Sequence, residues 1–229
     1  MDIAWAQKGE FIQRTVSGNP VVAFLTCGRE DLTIRTLKSF QNLNENWEKF
    51  YADDASNDQL GMRKIVESFG FHPLVLNDHR IGCSKTTDLL AQAVLKTVGE
   101  NRLVLYLQND FELLRPIPLG PIRSLLKSGI GWVWLGDWHK GEAFLRNERI
   151  DGELFEIGKS DFVYNPPLIA MSQTFARILD GATSENDVVM RSRTLNLQAA
   201  SFLNNIAVHT GGQFCNGHGT RATPGGIFK

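Results

Sequence analysis

Arg102-Leu103-Val104-Leu105-Tyr106-Leu107-Gln108-Asn109-Asp110-Phe111-Glu112 joins a continuous apolar run, Leu103 to Leu107, to an abruptly acidic tip. The run has no polar alternation, the pattern of a central strand covered on both faces of an α/β sheet. Ligands of open α/β sheets gather outside the carboxyl ends of such strands. Asp110 and Glu112 are therefore candidates for a divalent cation at the mouth of a cleft. Asp110 equally suits the opening of a turn after a strand, and from this segment the two readings stand side by side.

Toward the amino end, Pro20-Val21-Val22-Ala23-Phe24-Leu25-Thr26 reads as another buried strand, and Leu32, Leu37, Phe40 and Leu43 then recur roughly at helical spacing. A strand near Trp47 to Ala52 ends in Asp53-Asp54-Ala55-Ser56-Asn57-Asp58 and precedes a helix carrying Met62, Ile65, Val66 and Phe69, which Gly70 stops. A third strand, Pro73 to Leu76, leads through Asn77-Asp78-His79-Arg80-Ile81-Gly82 into a helix from Ser84 to Val98. Repeated βα units predict a mostly parallel central sheet flanked by helices, with right-handed crossovers. After Pro116 the pattern loosens. Strands are expected at Trp132 to Leu135, Leu154 to Ile157 and Pro167 to Met171, a helix from Glu185 to Leu197, and a glycine-rich tail from Gly211 to Gly226. This second half reads as mixed α/β wrapped onto the first, within one domain spanning 1–229.

Composition removes several functional classes. Lys+Arg 24 against Asp+Glu 25 leaves a formal charge of -1, so no overall basic field attracts nucleic acid or an anionic membrane. Any anionic ligand must be bound locally. No apolar run approaches the roughly 18 residues of a membrane span, and the first residues lack a basic segment followed by an apolar core. Cys27, Cys83 and Cys215 are odd in number and far apart, which fits a reducing compartment; the expected location is cytoplasmic. Cys215-Asn216-Gly217-His218 has zinc-like spacing, but one pair is half a site and reads better as a loop.

Missing motifs narrow the chemistry further. Thr26-Cys27-Gly28-Arg29-Glu30-Asp31 lacks the spaced glycines of a dinucleotide fold and the Gly-Lys-Ser/Thr of a phosphate loop, and no Gly-x-Ser-x-Gly is present. Acids instead stand at two strand ends, Asp53-Asp54 and Asp110, with Arg80 and Lys85 between them in sequence. That set suits a nucleoside diphosphate together with a metal.

These pieces, in this order, resemble the family-2-like glycosyltransferases of the GT-A fold. The first strand ends Phe24-Leu25-Thr26-Cys27-Gly28-Arg29, Asp53-Asp54-Ala55-Ser56-Asn57-Asp58 stands where the family has Asp-Asp-Gly-Ser-x-Asp, and Leu107-Gln108-Asn109-Asp110 where it has Leu-Glu/Asp-x-Asp. The resemblance implies a single GT-A-like nucleotide-diphospho-sugar transferase domain, with residues about 20–115 binding the nucleotide and about 116–229 the acceptor. By the same resemblance Thr26 and Asp54 line the nucleoside pocket, Lys85 lies near the diphosphate, and Arg29, Asp53 and Asn109 belong to the nucleotide-sugar site. Asp110 would hold Mn²⁺ or Mg²⁺. The sequence departs from the family at the earlier acidic position, which falls on Gln108 or Asn109, neutral side chains that can bind through oxygen but contribute no charge.

Breaking a sugar–diphosphate bond puts negative charge on the leaving group, so a cation at Asp110 and the charges of Lys85, Arg80 or Arg221 would act most strongly in the transition state. The attacking hydroxyl must also lose a proton to a carboxylate. In the family that base sits at a helix start in the second half; Ser184-Glu185-Asn186-Asp187 is the nearest match, giving Asp187 and Glu185 as candidates. Ser-x-x-Asp is also close to a capping box. Asp137, in Gly136-Asp137-Trp138-His139, is a rival base or an acceptor contact. Val208-His209-Thr210-Gly211 resembles a segment of such enzymes in which a histidine approaches the metal or diphosphate, and His218 lies in the tail beyond it. Trp132, Trp134 and Trp138 are aromatic groups suited to stacking on sugars, although Trp132 and Trp134 share one strand face and fit a core equally.

The expected activity is metal-dependent, inverting transfer of a sugar, with a UDP-sugar favoured as donor and a saccharide or other hydroxyl as acceptor. The alternatives are a nucleotidyltransferase and a non-catalytic nucleotide-sugar-binding protein of the same fold.

Overall fold

The computed structural model describes residues 18–43, 46–136, 144–159 and 167–210. Asp137, Trp138, Cys215, His218, Arg221 and the glycine-rich tail lie outside the described residues.

The first half alternates as its apolar pattern dictates: β1 (Val21–Thr26), α1 (Glu30–Leu43), β2 (Glu48–Asp53), α2 (Gln59–Ser68), β3 (His72–Leu76), α3 (Cys83–Val98) and β4 (Leu103–Gln108). Glu30 and Asp31 in the first turn of α1 complement its dipole. Asp58 caps α2 by accepting from the Gly61 amide at 2.8 Å. Then follow β5 (Phe111–Leu113), α4 (Leu119–Lys127), β6 (Ile130–Trp134), β7 (Phe144–Ile150), β8 (Glu153–Lys159), β9 (Leu168–Met171), α5 (Ser172–Leu179), α6 (Glu185–Thr194), β10 (Gln198–Phe202) and β11 (Ala207–His209).

Nine strands form one sheet in the order β3-β2-β1-β4-β9-β6-β10-β8-β7. The block β3-β2-β1-β4 is parallel throughout, with Val21 opposite both Glu48 and Val104. β9 then enters antiparallel between β4 and β6, β10 runs parallel to β6, and the β7–β8 hairpin closes the far edge. The second half therefore extends the same sheet rather than wrapping around the first. Pro73 lies in edge strand β3, where a missing amide disrupts least.

Alternate residues of the central strands feed two cores. Val22, Phe24, Leu103, Leu105 and Leu107 pack on one face with Leu37 and Phe40 of α1, Val66 of α2 and Leu125 of α4. Ala23, Leu25, Val104 and Tyr106 face the other way, against Leu90 and Val94 of α3 and Phe175 and Leu179 of α5. Trp132 and Trp134 are buried in this second core, with ring centroids 6.5 Å apart, which assigns them to packing rather than to stacking on a sugar. Among the described residues no helix is long and apolar enough to cross a membrane.

A small second sheet decides the geometry of the acidic tip. β5 pairs antiparallel with β11, placing His209 opposite Phe111, while the Thr210 amide donates to the Asp110 carbonyl at 2.7 Å.

Candidate nucleotide-sugar site

Because β2, β1 and β4 run parallel side by side, their carboxyl ends deliver Asp53-Asp54, the Cys27–Arg29 turn and Gln108–Asp110 to one edge of the sheet. A cleft of about 530 Å³ opens there. Its walls include Gly28, Arg29, Asp54, Arg80, Gln108 and Asp110.

The turn after β1 requires left-handed backbone, with φ of 101° at Gly28 and 63° at Arg29. Asn109 holds it from below: its Nδ2 donates to the Gly28 carbonyl at 2.5 Å and lies within 3.4 Å of the Thr26 and Thr33 hydroxyls. Thr26 is fully buried in this cluster, beneath the cleft rather than on its surface. Arg80 Nη2 donates to the Cys27 carbonyl at 2.9 Å and so ties the β3–α3 loop to the same turn.

Asp53 and Asp54 do different work. Asp53 Oδ1 accepts from the Ser56 hydroxyl at 2.5 Å and the Ser56 amide at 3.1 Å. Burial pushes its carboxyl up from the ordinary value, against the lowering effect of the Ser56 donors. Ala55, where the resembling family has glycine, takes a φ of 53° to make this turn. Asp54 Oδ1 accepts from Thr86 Oγ1 and the Ile81 amide, each at 2.9 Å, and from Asn77 Nδ2 at 3.0 Å; Oδ2 accepts from the Gly82 amide at 3.0 Å. The β3–α3 loop and Thr86 of α3 thus hold this carboxylate mainly through Oδ1, while Oδ2 takes one donor at the wall of the cleft. Lys85 lies exposed on the first turn of α3 and is not among the cleft-lining residues.

Asp110 is nearly buried at the cleft edge. Its Oδ2 lies 3.4 Å from Arg29 Nη1 and 3.2 Å from His209 Nε2, bringing together two residues 99 positions apart in sequence. Among the described residues its buried Oδ1 has no hydrogen-bond partner. A hard carboxylate oxygen without a partner suits a divalent cation, and Mg²⁺-type sites commonly use one or two carboxylates plus substrate phosphates. Glu112 does not join it: its Oε2 accepts from Arg35 of α1 at 2.8 Å. Among the described residues no group of three or more His, Cys, Asp or Glu side chains converges as a ready-made cage.

Asp187, one of the proposed bases, is held at a helix start. Asp187 forms a capping box with Ser184, its Oδ2 accepting from the Thr183 amide at 2.8 Å, the Thr183 hydroxyl at 2.9 Å and the Ser184 amide at 2.9 Å. These donors, the Thr183 amide foremost, hold its carboxyl below the usual range, which makes it a weaker proton acceptor. Asp187 is not among the cleft-lining residues, and Glu185 begins the same helix. Gly136, immediately before Asp137, bridges to Ala207 at the start of β11.

Cys83 was not singled out for the site by sequence, yet it lines the cleft together with Cys27 and accepts from Gln108 Nε2 at 3.0 Å. Its place as the first residue of a helix opening beside a strand end was the available signal.

No protein-family model and no curated protein sequence matches the chain. Solved structures do. S. aureus TarS residues 1–349 in complex with UDP-GlcNAc superposes with a TM-score of 0.56 at 12% identity, over 88% of this chain and 60% of that one. GalNAc-T7 with UDP, GalNAc and Mn²⁺ gives 0.59 at 10% identity, over 83% of this chain and 43% of that one. The fold is GT-A-like. The chain spans less than two thirds of the length of these neighbours.

Proposed function

We propose that this chain is a nucleotide-sugar glycosyltransferase, moving a sugar from a UDP-linked donor to a hydroxyl acceptor with inversion. The observation that carries this reading is the Oδ1 of Asp110, without a hydrogen-bond partner among the described residues, at the edge of a cleft formed by three parallel strand ends. Support comes from two structural neighbours, one holding UDP-GlcNAc and the other UDP with Mn²⁺.

In this reading Asp110 would hold Mn²⁺ or Mg²⁺, with His209 beside it and His218 as a further candidate from the tail. When bound, such a cation supplies Lewis-acid stabilisation of the charge that develops on the departing diphosphate. Arg29 and Arg80 contribute positive charge on the cleft wall, and Lys85 and Arg221 are further candidates for the diphosphate. Asp54 shapes the nucleoside wall by fixing Ile81 and Gly82, Asp53 sets the adjoining turn, and Asn109 with Thr26 sets the opposite one. For the base, Asp137 is favoured over Asp187 and Glu185, because its neighbour Gly136 is paired to the strand that carries His209 whereas Asp187 is engaged in capping.

Thermal-shift titration with UDP, GDP, UDP-GlcNAc and UDP-GalNAc, each with and without Mn²⁺, tests the reading. A ligand at 100 times its Kd stabilises by about 2.7 kcal/mol, so the expected outcome is a raised Tm selective for uridine nucleotides and largest with Mn²⁺. No shift from any nucleotide or nucleotide sugar defeats it.

A further inference from the structure

We propose that Arg29 is a switchable counter-ion of Asp110, coupling cation binding to diphosphate binding in the cleft. The inference rests on reading this cleft as a diphosphate site.

Among the described residues Asp110 stands without acidic help at the tip of β4. Gln108 is neutral, and its amide donates to the Tyr106 hydroxyl at 2.7 Å and to Cys83 Sγ. The Asn109 amide is held by the Gly28 carbonyl, and Glu112 by Arg35. The one carboxylate left is already compensated, since the Arg29 guanidinium lies 3.4 Å from Oδ2. A cation approaching the protein alone therefore meets a neutralised acid and the repulsion of an adjacent guanidinium.

Arg29 is placed to be drawn away. It sits on a left-handed turn, its side chain is 27% exposed, and among the described residues its guanidinium makes no other hydrogen bond. Its planar fork matches the paired oxygens of a diphosphate better than one carboxylate oxygen at 3.4 Å. When a diphosphate takes the guanidinium, Oδ2 is released beside the unpartnered Oδ1, and the carboxylate regains its full charge toward a cation. Linkage makes the effect reciprocal: whatever factor UDP adds to cation affinity, the cation adds to UDP affinity.

Calorimetric titration of the parent, Arg29→Gln and Asp110→Asn with Mn²⁺ and with UDP tests this. The parent is expected to bind Mn²⁺ on the order of tenfold more tightly when saturated with UDP. Nucleotide-free Arg29→Gln should bind Mn²⁺ on the order of tenfold more tightly than the nucleotide-free parent, and UDP should then enhance its Mn²⁺ binding by a smaller factor than in the parent, the remainder being direct attraction between cation and phosphate. In EDTA, Asp110→Asn should bind UDP more tightly than the parent, because the guanidinium is no longer retained; a residue that is only a metal ligand gives no change there. Arg29→Gln with a parental circular dichroism spectrum and unchanged Mn²⁺ affinity overturns the proposal while leaving UDP binding by the parent intact. Should Arg29→Gln fail to fold, the Asp110→Asn titration decides alone, and UDP affinity at or below the parental value overturns the proposal. A parent that binds no UDP with or without Mn²⁺ overturns both this proposal and the reading of the cleft.

Discussion

Asn109 Nδ2 donates to the Gly28 carbonyl oxygen at 2.5 Å, joining the tip of β4 to the left-handed turn after β1. Asn109 is thus a buried strut for the turn that presents Arg29.

Asn109→Asp consequently adds an acid to the tip without improving it. A carboxylate would face the Gly28 carbonyl with no proton to donate, leaving a buried acceptor unsatisfied. The expected outcome is a loss of about 1–3 kcal/mol in denaturant unfolding, with no tighter Mn²⁺ binding by calorimetry. A stable variant with enhanced Mn²⁺ affinity contradicts the strut.

Asp54→Asn should act through the β3–α3 loop. Replacing an oxygen that accepts from main-chain and side-chain donors by an amide group breaks part of the set around Asn77, Ile81, Gly82 and Thr86. Faster amide hydrogen exchange at Ile81 and Gly82 should accompany weaker UDP binding. Weaker binding with unaltered exchange would return Asp54 to direct contact with the base.

Ala55→Gly should stabilise the protein by about 0.5–1 kcal/mol, because φ of 53° strains a residue with a Cβ more than it strains glycine. Urea melts read this directly, and a destabilised variant shows that the Ala55 methyl contributes packing that outweighs the strain.

Asp187 yields a pH prediction. Its carboxyl is depressed in the folded state, so its contribution to stability is present above the ordinary value of 3.8 and is lost as pH falls through the lower folded value. Amide protection factors in the first turn of α6, which remove the intrinsic slowing of exchange at low pH, should therefore fall on acidification in the parent and change less in Asp187→Asn. That variant should transfer sugar at the parental rate; slowing by on the order of 10²–10⁴ with unchanged donor binding would make Asp187 the base after all.

The parallel half was legible to within about two residues at most element ends, because runs such as Val21–Thr26 and Leu103–Leu107 are too apolar to be anything but doubly covered strands. The second half was harder for identifiable reasons. β7, with the sequence Phe-Leu-Arg-Asn-Glu-Arg-Ile, is a charged edge strand, and β10, Gln-Ala-Ala-Ser-Phe, has no β-branched residue. α4 carries Gly120 and Pro121 in its first turn, where proline is tolerated but mimics a loop. In the site, Asp110 and His209 were visible as types, yet the pairing of β5 with β11 that unites them was not. The capture of Asp54 was hidden as well, since its donors follow 23 to 32 residues later and nothing in their spacing announces them.

β9 separates β4 from β6 in the sheet although it follows both in sequence. During synthesis the hydrogen-bonding edge of Leu103–Tyr106 must wait for Leu168–Met171 to emerge, so a buried apolar strand at the centre of the sheet is the last of the parallel block to be sealed. Such late, non-local closure slows folding and leaves an edge open to other chains. The first, parallel half is therefore no detachable module: severed near Pro116, it would carry that naked edge permanently, and expression of the half by itself should yield aggregate.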